Sequence, residues 1–177
     1  PVWYHAVLQS MTYRDRRFPV EKLPPIEKIY EAMSAVADGR VALHPCERKA
    51  TVVSSNGAKA YTVAWSEDGS AYSSNDNATY WQGYAGYPVI AVLMEQGALP
   101  LDRAVADGFA HVNWTELNER FRRDYAAAVR AVVDERGLDA VRVEASARAA
   151  YDALARLDVS VGRGSAKPPK SPKPPKA

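Results

Sequence analysis

Between Ser73 and Pro88 the chain sets Tyr80, Trp81, Tyr84 and Tyr87 among Asn75, Asp76, Asn77 and Gln82, with Gly83 and Gly86 to bend the backbone. Ring faces beside short amides and a carboxylate can grip a ligand, because the rings stack or attract cations while the polar groups fix orientation. A sugar-like or amine-bearing molecule would lie on Trp81 with its hydroxyls held by the amides. Function concentrates in loops carried on rigid elements, so these eight residues form the candidate set for a ligand or protein partner. Asp76 is the one acid within the set, and a small enzyme sharing this site would depend on it. The competing reading is packing: the rings close the end of the core while Asn and Asp satisfy turns and caps.

Other chemistry-bearing residues are sparser. His44-Pro45-Cys46-Glu47 puts a thiol near an imidazole, but a working pair needs a third group to orient the base, and none is adjacent. Cys46 therefore reads as a structural or incidental residue, small and buried. His5, His44 and His111 lack metal-ligand spacing, so no metal is assigned. Arg120, Arg122, Arg123 and Arg130 alternate with acids in the pairs Glu116–Arg120 and Glu119–Arg123, the ordinary construction of a solvated helix face. Pro1 resembles the imino-nitrogen base of the tautomerase superfamily, yet it is one residue and no site around it is specified. No catalytic residue and no cofactor are assigned.

The elements that must position the aromatic segment follow from turn chemistry and periodicity. Asn56-Gly57 is the strongest hairpin signal, read as a two-residue type I′ turn that pairs Val52 with Tyr61 and Ala50 with Val63. A second tight turn at Asp68-Gly69 puts Tyr72 opposite Trp65, so Tyr61, Val63, Trp65 and Tyr72 share the larger apolar face and should be core. Pro24-Pro25 opens a helix with Ile26, Ile29, Tyr30, Met33 and Val36 at helical spacing, stopped by Asp38-Gly39. Pro88 begins a helix to Gln96 that is apolar nearly all round and should be largely buried. Asp102 caps a short helix. Asn113 and Glu116 form a capping box for a long helix running through Leu117, Phe121, Tyr125, Val129 and Val132 to Gly137. Asp139 caps a last helix with the stripe Val143, Ala147, Ala150, Tyr151 and Leu154.

Strands early and helices late define an α+β domain over residues 1–160. Its small antiparallel sheet spans about residues 40–74, a strand at Val2–Met11 is available to join it, and helices cover it. From Gly162 the composition turns to Gly, Ser, Lys and Pro, which cannot bury enough apolar surface to fold, so residues 161–177 read as a disordered tail.

The formal charge of +2 divides unevenly. Four lysines, Lys167, Lys170, Lys173 and Lys176, lie in the last eleven residues, which leaves the preceding 166 at −2. In polyproline II geometry they would line one edge and attract nucleic acid or another polyanion weakly. The tail is similar to the lysine- and proline-rich termini of histone-H1-type proteins over those eleven residues only. The longest apolar run, Val89–Met94, is too short to span a bilayer, so no membrane partner is expected. The single cysteine fits a reducing, cytoplasmic setting. The reading that results is a non-catalytic binding module, with a small enzyme or a tail-driven nucleic-acid protein as rivals.

Overall fold

Two successive hairpins use the same local chemistry. In a computed structural model that describes residues 22–170, β2 (Lys49–Val53) and β3 (Ala60–Trp65) pair Val52 with Tyr61 and Ala50 with Val63. The register is the expected one, but the turn is longer than type I′. Only Gly57 takes positive φ; Ser54 N and Lys59 O close the loop at 2.8 Å, and Asn56 Oδ1 accepts from Ala58 N. Ser66–Ala71 repeats this between β3 and β4 (Ala71–Ser74), with Gly69 at positive φ and Asp68 Oδ1 accepting from Ser70 N. An Asx side chain that satisfies the loop backbone lets a single glycine carry the left-handed residue.

β1 (Val41–His44) pairs antiparallel with β2, and the sheet order is β1-β2-β3-β4-β5. β5 (Ser160–Arg163) adds parallel to β4, which makes the sheet mixed rather than antiparallel throughout. The chain therefore stays in the fold past residue 160, and Gly164 N still donates to Ser74 O at 2.7 Å. Composition missed this strand because an edge strand is held by ladder hydrogen bonds and needs few apolar side chains. The strand expected at Val2–Met11, together with Pro1, His5, Lys173 and Lys176, lies outside the described residues.

α2 (Tyr87–Glu95) lies on the sheet, and α1 (Glu27–Ala37) packs on α2. Being covered from both sides explains why Pro88 to Met94 are all buried. α3 (Arg103–Gly108), α5 (Tyr125–Arg136) and α6 (Ala140–Arg156) surround α1, and Asp102, Asp124 and Asp139 cap their N-termini with side-chain oxygens. The hydrophobic core runs continuously from the sheet through α2 and α1 to these outer helices. Trp65, expected in the core, sits at its margin and is partly covered, stacked on Tyr72 at 6.4 Å.

The long helix expected from Asn113 to Gly137 is two helices. α4 (Trp114–Arg120) begins on the expected capping box, Asn113 Oδ1 accepting from Glu116 N at 3.2 Å, and ends at Phe121. Arg122 and Arg123 then take φ of 51° and 67°, and Asp124 starts α5. The apolar spacing of the sequence continues across this break, from Phe121 to Tyr125, but the helical backbone does not. Consequently Arg123 is not on the helix that carries Glu119, and Arg120 pairs instead with Glu135 of α5 at 3.8 Å. No helix among the described residues is long and apolar enough to cross a membrane.

Candidate functional site

The aromatic segment leaves β4 at Ser74 and enters α2 at Tyr87, and three hydrogen bonds fix its start. Asn75 Oδ1 accepts from Thr62 N at 2.8 Å, tying the segment to β3, while Asp76 Oδ1 accepts from Ala78 N and Thr79 N at 2.9 and 3.0 Å. This caps a single π-type turn, Ala78–Gln82, a rare geometry that recurs at functional sites. Thr79 Oγ1 then accepts from Gly86 N at 3.0 Å and closes the segment on itself. Gly86 has ordinary extended angles, so its lack of a side chain serves space: a Cβ there would collide with the Asp76 carboxylate.

Opposite this segment stands the α4–α5 turn, and between the two lies a cleft of about 890 Å³. Asp76, Asn77, Trp81, Gln82, Tyr84 and Tyr87 line one side. Asn118, Glu119, Arg122, Arg123 and Tyr125 line the other, with Lys28 and Glu31 of α1 and Tyr61 of β3 completing the wall. Two of the eight sequence candidates are not in it. Asn75 is buried in its bond to β3, and Tyr80 turns under the Arg163 guanidinium, 5.5 Å from its ring. Lys167 and Lys170 are exposed on the segment after β5. Cys46 is exposed rather than buried, on the short helix Pro45–Glu47 after β1.

The sequence reading did not single out Lys28, Glu31, Tyr61, Asn118 or Tyr125 as site residues, and it placed Arg122 and Arg123 on a solvated face. One signal for Glu31 was available: α1 carries the small residues Ala32, Ser34 and Ala35 away from its main stripe, as a helix packed on every side does. Glu31 is accordingly 6% exposed. Its carboxylate accepts two hydrogen bonds from Lys28 Nζ at 2.8 and 2.9 Å, and Asn118 Nδ2 approaches Oε1 at 3.5 Å. Lys28 Nζ lies 5.0 Å from the centre of the Tyr125 ring. Burial alone would pull the Lys28 ammonium down, but the Glu31 charge and hydrogen bonds outweigh it and the pKa ends above the ordinary lysine value.

Asp76 differs from Glu31. It is 3% exposed, its Oδ2 has no hydrogen-bond partner, and no basic side chain among the described residues pairs with it. Among the described residues four buried side-chain atoms lack a partner; Trp114 Nε1 lies elsewhere, whereas Asp76 Oδ2, Tyr87 Oη and Asn118 Oδ1 all belong to residues of this cleft. Tyr61 and Tyr87 meet edge to face at 6.1 Å. Burial raises the phenol pKa of both, the Asp76 and Glu31 charges add to it at Tyr61, and Tyr61 adds to it at Tyr87. Among the described residues no group of three or more His, Cys, Asp or Glu side chains could hold a metal ion.

Two expectations follow from these environments. Burial also raises Tyr30, Tyr72 and Tyr84, so five phenols should stay neutral in the folded protein at pH values where the unfolded chain ionises them. Their contribution to stability is full below about pH 10 and is lost as pH rises through the higher folded values. Absorbance titration at 295 nm should show a fraction of the tyrosines ionising late, together with unfolding; ten tyrosines ionising near pH 10 without unfolding would contradict it. Trp81 is 64% exposed, so Trp81→Ala should cost about 1 kcal/mol or less in urea unfolding while weakening any ligand seated in the cleft. A core-sized loss would make it a packing residue.

Fold and cleft together define a class: a small α+β domain with a mixed five-stranded sheet and a tyrosine-lined cleft between the β4–α2 segment and the α4–α5 turn. Residues 21–160 match the family described as Uncharacterised conserved protein UCP014422, and the chain belongs to that family. No curated protein and no solved structure matches the chain. The matched span contains every residue that lines the cleft.

Proposed function

We propose that this protein is a non-catalytic binding module that seats a small polar molecule in the cleft between the 76–87 segment and the α4–α5 turn. Three unpartnered buried oxygens on residues that line this one cleft, Asp76 Oδ2, Tyr87 Oη and Asn118 Oδ1, carry this reading. A buried polar atom left unpaired costs about 1–3 kcal/mol, and a ligand supplying hydrogen bonds to all three recovers that cost on binding. The cleft volume lies within the range of small-molecule sites, and the rings of Trp81, Tyr84 and Tyr125 offer apolar walls. Non-glycine residues in the left-handed region, as at Arg122 and Arg123, accumulate at ligand clamps because binding retains strain that stability alone would remove. The exposed lysines after β5 add weak attraction for polyanions.

Titration of the ¹⁵N-labelled protein with amines, amino acids, monosaccharides and nucleosides tests the reading. At least one compound should shift amides concentrated in residues 76–84 and 115–125. Shifts on another face only, or none with any compound, would refute it. A second reading, a small enzyme with Asp76 as its acid or base, is favoured by one observation, the burial of that carboxylate among the cleft residues with one oxygen unpartnered. Recovery of the bound compound unchanged after prolonged incubation supports the module, and conversion abolished by Asp76→Asn supports the enzyme.

A further inference from the structure

The charges inside the cleft do not balance. Lys28 and Glu31 neutralise each other at 2.8 Å, which leaves the Asp76 carboxylate buried with no counter-ion among the described residues. Its Oδ1 is held by the backbone of the π-type turn, and Oδ2, itself closed to solvent, belongs to a residue that lines the cleft. Arg122 and Arg123 do not compensate it. Both are exposed at the rim, neither pairs with Asp76, and charges in solvent are screened over about 8–10 Å at ordinary salt.

From this we infer that the cleft recognises an organic cation, a small molecule carrying a protonated amine whose ammonium group donates to Asp76 Oδ2, with Tyr87 Oη and Asn118 Oδ1 as further acceptors. The inference rests on the binding-module reading and specifies its ligand. An ammonium matches the site in three ways. It supplies donors, and the Asp76 carboxylate oxygen that lacks one is an acceptor. It neutralises a buried carboxylate that has backbone hydrogen bonds but no counter-ion among the described residues, and a buried charge without a counter-ion is costly. It also suits the walls, because aromatic faces attract cations. The protein's own ammonium groups already use these rings: Lys28 Nζ lies 5.0 Å from the centre of Tyr125, and Lys22 Nζ 5.5 Å from that of Tyr84. A neutral polyol would satisfy the hydrogen bonds and leave the charge alone. A carboxylate or phosphate would meet Asp76 as a like charge.

Benzylamine, benzyl alcohol, benzoate and glucose separate these cases when each is titrated into the ¹⁵N-labelled full chain at neutral pH. Benzylamine should bind at residues 76–84 and 115–125 at least about 10-fold more tightly than benzyl alcohol, the difference expected for hydrogen bonds to a charged group, and benzoate should bind most weakly. Asp76→Asn, close to the same shape, should reduce benzylamine affinity by about 10-fold or more and benzyl alcohol affinity by clearly less, so that the preference for the amine shrinks. Equal binding of amine and alcohol, or a preference for glucose at the same amides, would overturn the cation and leave the cleft reading standing. No shift at those amides with any of the four would overturn the cation and count against the cleft as a small-molecule site. Should Asp76→Asn fail to fold, the amine, alcohol and acid comparison in the unaltered protein still decides the matter.

Discussion

Replacing Phe109 with alanine should cost the fold about 3–5 kcal/mol, a large part of the roughly 5–15 kcal/mol that holds a domain together. The ring is fully buried at the end of α3. It packs on Tyr30 of α1 at 5.2 Å and stacks on Trp114 at 6.1 Å with the planes 19° apart. Truncation therefore opens a cavity where three helices meet, and rings on both sides lose contacts that backbone shifts cannot restore. The consequence reaches the cleft, because Trp114 begins α4 and α4 carries Asn118 and Glu119. Urea unfolding should show the loss, and ligand-induced shifts at residues 115–125 should weaken even under conditions where the variant is folded. Phe109→Leu, which keeps more of the volume, should recover much of both. A loss below about 1 kcal/mol for the alanine variant, the range of surface changes, would mean that Phe109 is not the joint between α1, α3 and α4.

Gly86→Ala should be the most disruptive one-methyl change near the site. At φ −67° and ψ 163° the backbone suits any residue, so strain is not the reason. The added Cβ would collide with Asp76 Oδ1 and lie within 2.7 Å of Cγ and 2.8 Å of Oδ2. The carboxylate must move, and with it go its hydrogen bonds to Ala78 N and Thr79 N. Overpacking of this kind costs about 1–3 kcal/mol, and loss of the Asp76 position should abolish measurable amine binding in the cleft. A double-mutant cycle isolates the cause: in an Asp76→Ala background the same methyl has nothing to displace, so its cost should shrink. An undiminished cost there would show that something other than the carboxylate is being crowded.

Much of the architecture was legible because it is written in local chemistry. The register Val52 with Tyr61 and Trp65 with Tyr72 followed from an Asx-Gly pair at each turn, since a hairpin's loop fixes every pairing along it. The caps at Asp102, Asn113 and Asp139 were readable for the same reason: each acts within three residues of itself. Errors arose where two local signals competed. Apolar spacing carried a helix across residues 121–124, while α4 stops at Arg120 and Asp124, an equally good N-cap, starts a new helix. A Gly-rich composition hid β5, whose stability comes from hydrogen bonds to β4 some ninety residues earlier.

The candidate site divides along the same line. The sequence by itself determined one wall, because Asp76, Asn77, Trp81, Gln82, Tyr84 and Tyr87 are neighbours along the chain and would remain near one another in almost any fold. Only the tertiary structure decided that Lys28 and Glu31, some fifty residues earlier, and Asn118, Arg122, Arg123 and Tyr125, some forty later, would face that wall. It decided too that Glu31 would be buried with a counter-ion and Asp76 without one among the described residues. The physical reason is that periodicity records which side of an element is covered, whereas a charge's partner depends on which elements meet. That meeting is set by packing α1 between α2 and the outer helices, an arrangement no stretch of sequence encodes alone.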